Sequence, residues 1–85
     1  MKMSKTILVV DDEKKIVQVV KAYLEQAGFR VVTAYDGQTA LNVFRSEKPA
    51  LAILDLNLPE IDGLDVCRAI RKESATPVKI GRAHV

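Results

Sequence analysis

The hydrophobic positions of this chain fall into short unbroken runs, separated by segments in which they recur every three or four residues. The first run, Thr6-Ile7-Leu8-Val9-Val10, is aliphatic almost throughout. Continuous rather than alternating hydrophobicity marks a strand covered on both faces, as in a parallel sheet flanked by helices. This strand is expected from about Lys5 to Val10. Ile16, Val17, Val20, Tyr23, Leu24 and Ala27 then recur at helical spacing, and Gly28 follows as a C′ stop. Either Asp11 or Asp12 can cap that helix. Phe29 to Ala34, with β-branched Val31, Val32 and Thr33, predicts a second strand.

The alternation continues. Asp36-Gly37 predicts a turn and cap, and Ala40, Leu41 and Phe44 the inner face of a second helix. Pro49 breaks that helix before a third strand, Leu51-Ala52-Ile53-Leu54. After Asp55 and the irregular stretch Leu56 to Ile61, Asp62-Gly63 opens a third helix that buries Leu64, Cys67 and Ile70. Thr76-Pro77-Val78 predicts the start of a fourth strand. Strands alternating with helices in the order βαβαβαβ imply right-handed crossovers and an α/β layered fold. The expected class is a flavodoxin-like, doubly wound parallel sheet, truncated after the start of its fourth strand.

That topology gives three aspartates a meaning. Asp11 and Asp12 close the first apolar run and Asp55 closes the third. In the strand order 2-1-3-4-5 the first and third strands are neighbours where the order reverses, and ligands bind there, beyond the carboxyl ends. Like charges about 4 Å apart repel by ~4 kcal/mol at an effective dielectric of 20. A bound cation explains such crowding, and carboxylates with waters and a backbone carbonyl suit Mg²⁺. A carboxylate beside the ion can act as a nucleophile toward phosphorus. The plain alternatives are a helix N-cap for one of the pair and an ordinary loop acid for Asp55. A cap needs one carboxylate, not two.

Composition narrows the class further. The chain has 85 residues, 48% hydrophobic and 28% charged, with a net charge of +2. These values suit one small globular domain. Setting aside Lys79 and Arg82, eleven basic residues balance eleven acidic ones, so no basic excess points to nucleic acid. The single cysteine, Cys67, allows no internal disulfide and fits a reducing compartment. No apolar stretch nears the ~18 residues of a membrane span. Met1 to Lys5 lacks the apolar core of a signal peptide. A cytoplasmic location is expected. Cys67 reads as core packing, Gly37 and Gly63 as conformational residues, and Lys14 and Lys15 as a solvated face.

The segments ILVVDDE, AYDGQTAL and LAILDLNLPEIDGLDVCRAIR resemble those of response-regulator receiver domains, the phosphoacceptor halves of two-component signalling. An acidic pair after the first strand, combined with Asp55-x-x-x-Pro59-x-x-x-Gly63, carries the resemblance. It implies that Asp55 is phosphorylated by a sensor histidine kinase. It further implies that Asp11 and Asp12 hold Mg²⁺ together with Asp55 and the backbone carbonyl of Asn57, with Pro59 and Gly63 supporting the loop. The wording is most similar to receivers attached to a winged-helix DNA-binding domain, so the parent is expected to regulate transcription.

The family also implies residues that this chain does not contain. A Ser or Thr at the end of the fourth strand and a Lys at the end of the fifth read the phosphoryl group, and neither position exists here. Lys79 falls within the fourth strand and cannot serve. The last seven residues, Lys79 to Val85, do not continue a buried apolar strand. They match the translation of a common short-read sequencing adapter, AAG ATC GGA AGA GCA CAC GTC. The expected division is therefore a partial receiver at 5–78 and a non-native tail at 79–85, which leaves His84 without a role. An open sheet edge and uncovered apolar surface predict that the chain as written folds poorly or aggregates.

Two other classes compete. An aspartate-nucleophile phosphohydrolase resembles a pattern with a second Asp two residues after the nucleophile; here Glu13 and Asn57 occupy those positions. A receiver-like interaction domain that is never phosphorylated would not need Asp11, Asp12 and Asp55 together, while the missing Ser/Thr and Lys leave that reading open for this segment.

Overall fold

The computed structural model describes residues 5–54 and 63–80. In chain order the elements are β1 (Thr6–Val10), α1 (Lys14–Gln26), β2 (Arg30–Ala34), α2 (Gly37–Glu47), β3 (Leu51–Leu54), α3 (Gly63–Glu73) and β4 (Val78–Ile80). All strand pairings are parallel, and the sheet order is β2-β1-β3-β4. This is the doubly wound arrangement expected from the hydrophobic runs.

Handedness decides where the helices go. From β1 to β2 the chain steps one way across the sheet; from β2 to β3, and again from β3 to β4, it steps the other way. Right-handed crossovers then place α1 on one face and α2 and α3 on the opposite face. The burial pattern agrees. Leu8 and Val10 of β1 join Ala40, Leu41, Phe44, Val66, Cys67 and Ile70 in one cluster, whereas Ile7 and Val9 join Val17 and Val31 in the other. Successive strand residues point to opposite faces, so an uninterrupted aliphatic run feeds both cores. Cys67 is buried, as a core residue.

Helix ends follow their side chains. Asp36 caps α2, its carboxylate accepting from the Thr39 amide at 2.8 Å and the Thr39 hydroxyl at 3.1 Å. Gly28, at φ +101°, takes the left-handed turn that ends α1, a conformation an L side chain resists. Pro49 is buried ahead of β3, and Val78 opens β4. Lys79 lies within β4, paired with Ile53.

Two expectations need correction. Ile16 is 44% exposed and Tyr23 73% exposed, and Ala27 is also exposed. The inward stripe of α1 is Val17, Val20 and Leu24, one residue and about 100° round from Ile16, Val19 and Tyr23. Both stripes have helical period, so periodicity alone does not choose between them. In addition, neither Asp11 nor Asp12 caps α1. The cap position is Glu13, which makes no side-chain capping bond.

Candidate functional site

The ends of β1 and β3 lie side by side because their register pairs Val10 with Leu54. Asp11 follows the first of these residues in the chain and Asp55 the second. This is the point where strand order reverses, and in open α/β sheets ligands bind beyond the carboxyl ends of the strands at such a point. Among the expected site residues, Asp11 and Asp12 are described. Asp55, Asn57 and Pro59 lie outside the described residues, and Gly63 is the first residue of α3.

Asp11 is half-buried and fixed on both sides. Its amide donates to the Ala34 carbonyl at 3.3 Å, which ties the end of β1 to the end of β2. Its Oδ1 accepts from the Glu13 amide at 2.9 Å, a local turn that orients the carboxylate. Asp12 is exposed. Asp36, at the end of the neighbouring strand, is a carboxylate of a different kind: its two oxygens are engaged with Thr39, so it serves the helix. Asp11 and Asp12 are hard oxygen donors at the carboxyl edge of the sheet, which is the donor chemistry that a small divalent cation requires. Among the described residues no three acidic, His or Cys side chains form a cation-binding group, and Asp55 is not in that set.

The structure also reveals a contact that sequence reasoning missed. The Lys14 ammonium lies over the Tyr35 ring, 5.5 Å from its centroid. Lys14 opens α1 and Tyr35 follows β2, so the pair sits beside the acidic pair on its β2 side. The residues are far apart in sequence, and the only available signal was that β1 and β2 end level with each other. At the opposite end of the sheet, Arg45 and Glu73 join α2 to α3 through a double hydrogen bond, with N–O distances of 2.6 and 3.1 Å. The bond to Arg45 holds the Glu73 carboxyl below its ordinary range.

No helix among the described residues is long and apolar enough to cross a membrane. Residues 7–84 match the family model of the response regulator receiver domain. The alkaline phosphatase synthesis transcriptional regulatory protein PhoP of Bacillus subtilis is 48% identical over 71 residues, covering 84% of this chain and 30% of that protein. The chain thus spans about a third of the length of the curated relatives it matches. The chemotaxis response regulator CheY4 of Vibrio cholerae superposes with a TM-score of 0.88 at 33% identity, covering 92% of this chain and 68% of that one. A structure of the histidine kinase ThkA in complex with the response regulator protein TrrA matches with a TM-score of 0.86 at 38% identity, over 94% of this chain and 72% of that one. On its sequence motifs, its 2-1-3-4 parallel sheet and these matches, the chain belongs to the response regulator receiver domains.

Proposed function

We propose that this chain is the acceptor part of a phosphorelay, in which Asp55 receives a phosphoryl group from a sensor histidine kinase. The observation that supports this reading best is the pairing of Val10 with Leu54. It sets the acidic pair and the attachment point of Asp55 at the same end of adjacent strands. A carboxylate oxygen of Asp55 attacks phosphorus, the bond from phosphorus to the kinase imidazole breaks, and the imidazole leaves with the bonding pair and takes up a proton from water. The product is an acyl phosphate.

Receiver domains in general bind Mg²⁺ at the phosphorylation site. Here Asp11 and Asp12 would hold the ion, together with Asp55 and the backbone carbonyl of Asn57. When bound it supplies charge neutralisation for the transferring group. The local turn at Glu13 and the bond to Ala34 keep Asp11 pointed for that task. Transfer adds about two negative charges and strong acceptor oxygens, which can bias a two-state surface.

The ThkA–TrrA complex supports a histidine kinase as the partner. The name of the Bacillus relative supports a parent that regulates transcription; in this reading that parent binds DNA through a further domain. Residues 5–78 form the receiver part in this reading, and 79–85 are the adapter-derived tail. Strand β4 takes in Lys79 and Ile80 through backbone pairing, and the family match also runs into the tail. Source DNA read with adapters trimmed decides the point; a genomic clone that encodes the tail overturns it.

Acetyl phosphate with Mg²⁺ is expected to add the mass of one phosphoryl group to the full-length parent, labile to hydroxylamine, and Asp55→Asn is expected to abolish it. Labelling that persists in Asp55→Asn, seen by intact mass spectrometry, defeats the assignment.

A further inference from the structure

Among the described residues the sheet ends in two open edges, and they are unlike. At one side β4 is three residues long, follows Pro77 and carries Lys79, features that discourage a further strand from pairing. At the other side β2 runs for five residues, Arg30–Ala34, with no proline or lysine in it, and β1 is its one described neighbour. The ladder shows which of its backbone groups are used. The Arg30 amide donates to the Lys5 carbonyl, and the Ala34 carbonyl accepts from the Asp11 amide. Arg30, Val32 and Ala34 therefore turn their backbone groups to β1. The alternate residues, Val31 and Thr33, turn theirs to the outer edge.

We infer that β2 is a self-association edge, at which a second copy of this chain pairs antiparallel about a two-fold axis through Val32. The choice of occupant follows from the charge order along the strand. Arg30 stands at one end of β2 and Asp36 just past the other, both on the α2 side: Arg30 reaches Glu47 at 3.0 Å and Asp36 caps α2. Antiparallel pairing about Val32 sets Arg30 opposite Ala34 of the copy and diagonal to Asp36 of the copy, so a cation meets a carboxylate at both ends. Parallel pairing in register would set like against like. The charges have bonding capacity left. Arg30 engages Glu47 and Thr6 through Nη1 alone, and a carboxylate such as Asp36 accepts more bonds than Thr39 supplies. On the α1 side the same register sets Phe29 against Tyr35 of the copy, an aromatic pair in which both rings extend the α1-side cluster. Val31 then faces Thr33 of the copy, and each outward N–H donates to the other's C=O. A two-fold contact of this kind closes on itself instead of growing into a fibre.

Cysteine cross-linking of the 85-residue chain with oxidised glutathione tests the register. On the axis Val32 meets Val32 of the copy as a non-hydrogen-bonded pair, with Cα atoms ~4.5 Å apart and within disulfide reach. Thr33 meets Val31 of the copy instead, so a cysteine there has no cysteine opposite it. Val32→Cys is expected to form covalent dimer about tenfold faster than Thr33→Cys at equal protein concentration. Cys67 is buried, so the parent should cross-link no faster than Thr33→Cys. A second measurement removes a hydrogen bond at the edge. Thr33→Pro deletes an outward donor and spares the bonds to β1, which an edge strand tolerates. It is expected to lower the dimer fraction in sedimentation velocity severalfold, whereas Thr33→Val keeps the donor and the dimer. Equal cross-linking of Val32→Cys and Thr33→Cys overturns the pairing. So does a Thr33→Pro chain that dimerises as Thr33→Val does.

Discussion

The two faces of the sheet are covered unequally. Under α2 and α3, the side chains of Leu8, Val10, Ala52, Leu54, Val66 and Ile70 are all 2% exposed or less. Under α1, only Ile7, Val9, Val17 and Val31 are buried among the described residues, and Leu51 and Ile53 of β3 are left half-buried. The cause is topological. Two of the three crossovers step the same way, so two helices share one face and a single helix must cover the other. That helix lies over β1 and β2. Beyond it, Ile53 and its partner Lys79 look out past the end of the cover. The site sits at the carboxyl edge where both faces meet. The better-packed face holds the strand ends in place, and the thinner one contributes Tyr35 and Lys14.

Truncations on the two faces of one strand provide the strongest test. Leu54 and Ile53 are adjacent in β3 but point to opposite faces. Leu54→Ala is expected to cost 2–5 kcal/mol, the range for emptying a close-packed aliphatic site. Ile53→Val, at a half-buried position with room to relax, should cost less than ~1 kcal/mol. Urea unfolding followed by circular dichroism, with a stabilising osmolyte if the parent is marginal, gives both numbers. A cost of Ile53→Val as large as that of Leu54→Ala would show that the face under α1 is as tightly filled as the other.

This asymmetry also explains what could be read from residues alone. The run Ile7 to Val10 announces burial on both faces, and β1 buries all four residues. The cap at Asp36 and the stop at Gly28 depend on neighbours within a few residues, so they too were legible. The inward face of α1 was not. Ile16, Val19 and Tyr23 repeat as regularly as Val17, Val20 and Leu24, and only docking on the sheet separates the two stripes. The same holds at the site. The acidic pair is visible at the end of an apolar run, but the contact of Lys14 with Tyr35 requires knowing that β2 ends beside β1. Asp55, Asn57 and Pro59 lie outside the described residues, so their part of the reading stays with the sequence pattern.

The outer stripe of α1 offers a second, smaller test. Val19 is 69% exposed and Tyr23 73% exposed, and both stand beside the thinly covered face. Charged replacements at such positions should change stability by no more than about 0.5 kcal/mol in either direction. They should instead reduce self-association, because exposed apolar side chains in a row make a sticky patch. The expected result for Val19→Lys/Tyr23→Lys is a larger monomer fraction in sedimentation velocity, with an unchanged unfolding midpoint. A loss of stability comparable to Leu54→Ala would mean that the stripe is packed inside the folded chain.

The smallest effect is expected at the clamp between the two helices that share the well-packed face. Arg45 and Glu73 tie α2 to α3 at the surface, with both side chains at least a third exposed. The hydrogen bond to Arg45 lowers the Glu73 pKa from the usual 4.5. A carboxyl depressed on folding contributes stability above its unfolded pKa, and that contribution is lost as pH falls through the folded value. The clamp therefore works fully at neutral pH and fails only below about pH 4.5. Glu73→Gln should flatten the acid limb of the stability curve while leaving the neutral plateau almost unchanged, since exposed ion pairs contribute little. Thermal melts from pH 7 down to pH 3 measure this. If Glu73→Gln lowers the plateau as much as a core truncation does, then α2 and α3 are held together by the clamp rather than by Leu41, Phe44, Cys67 and Ile70 beneath them.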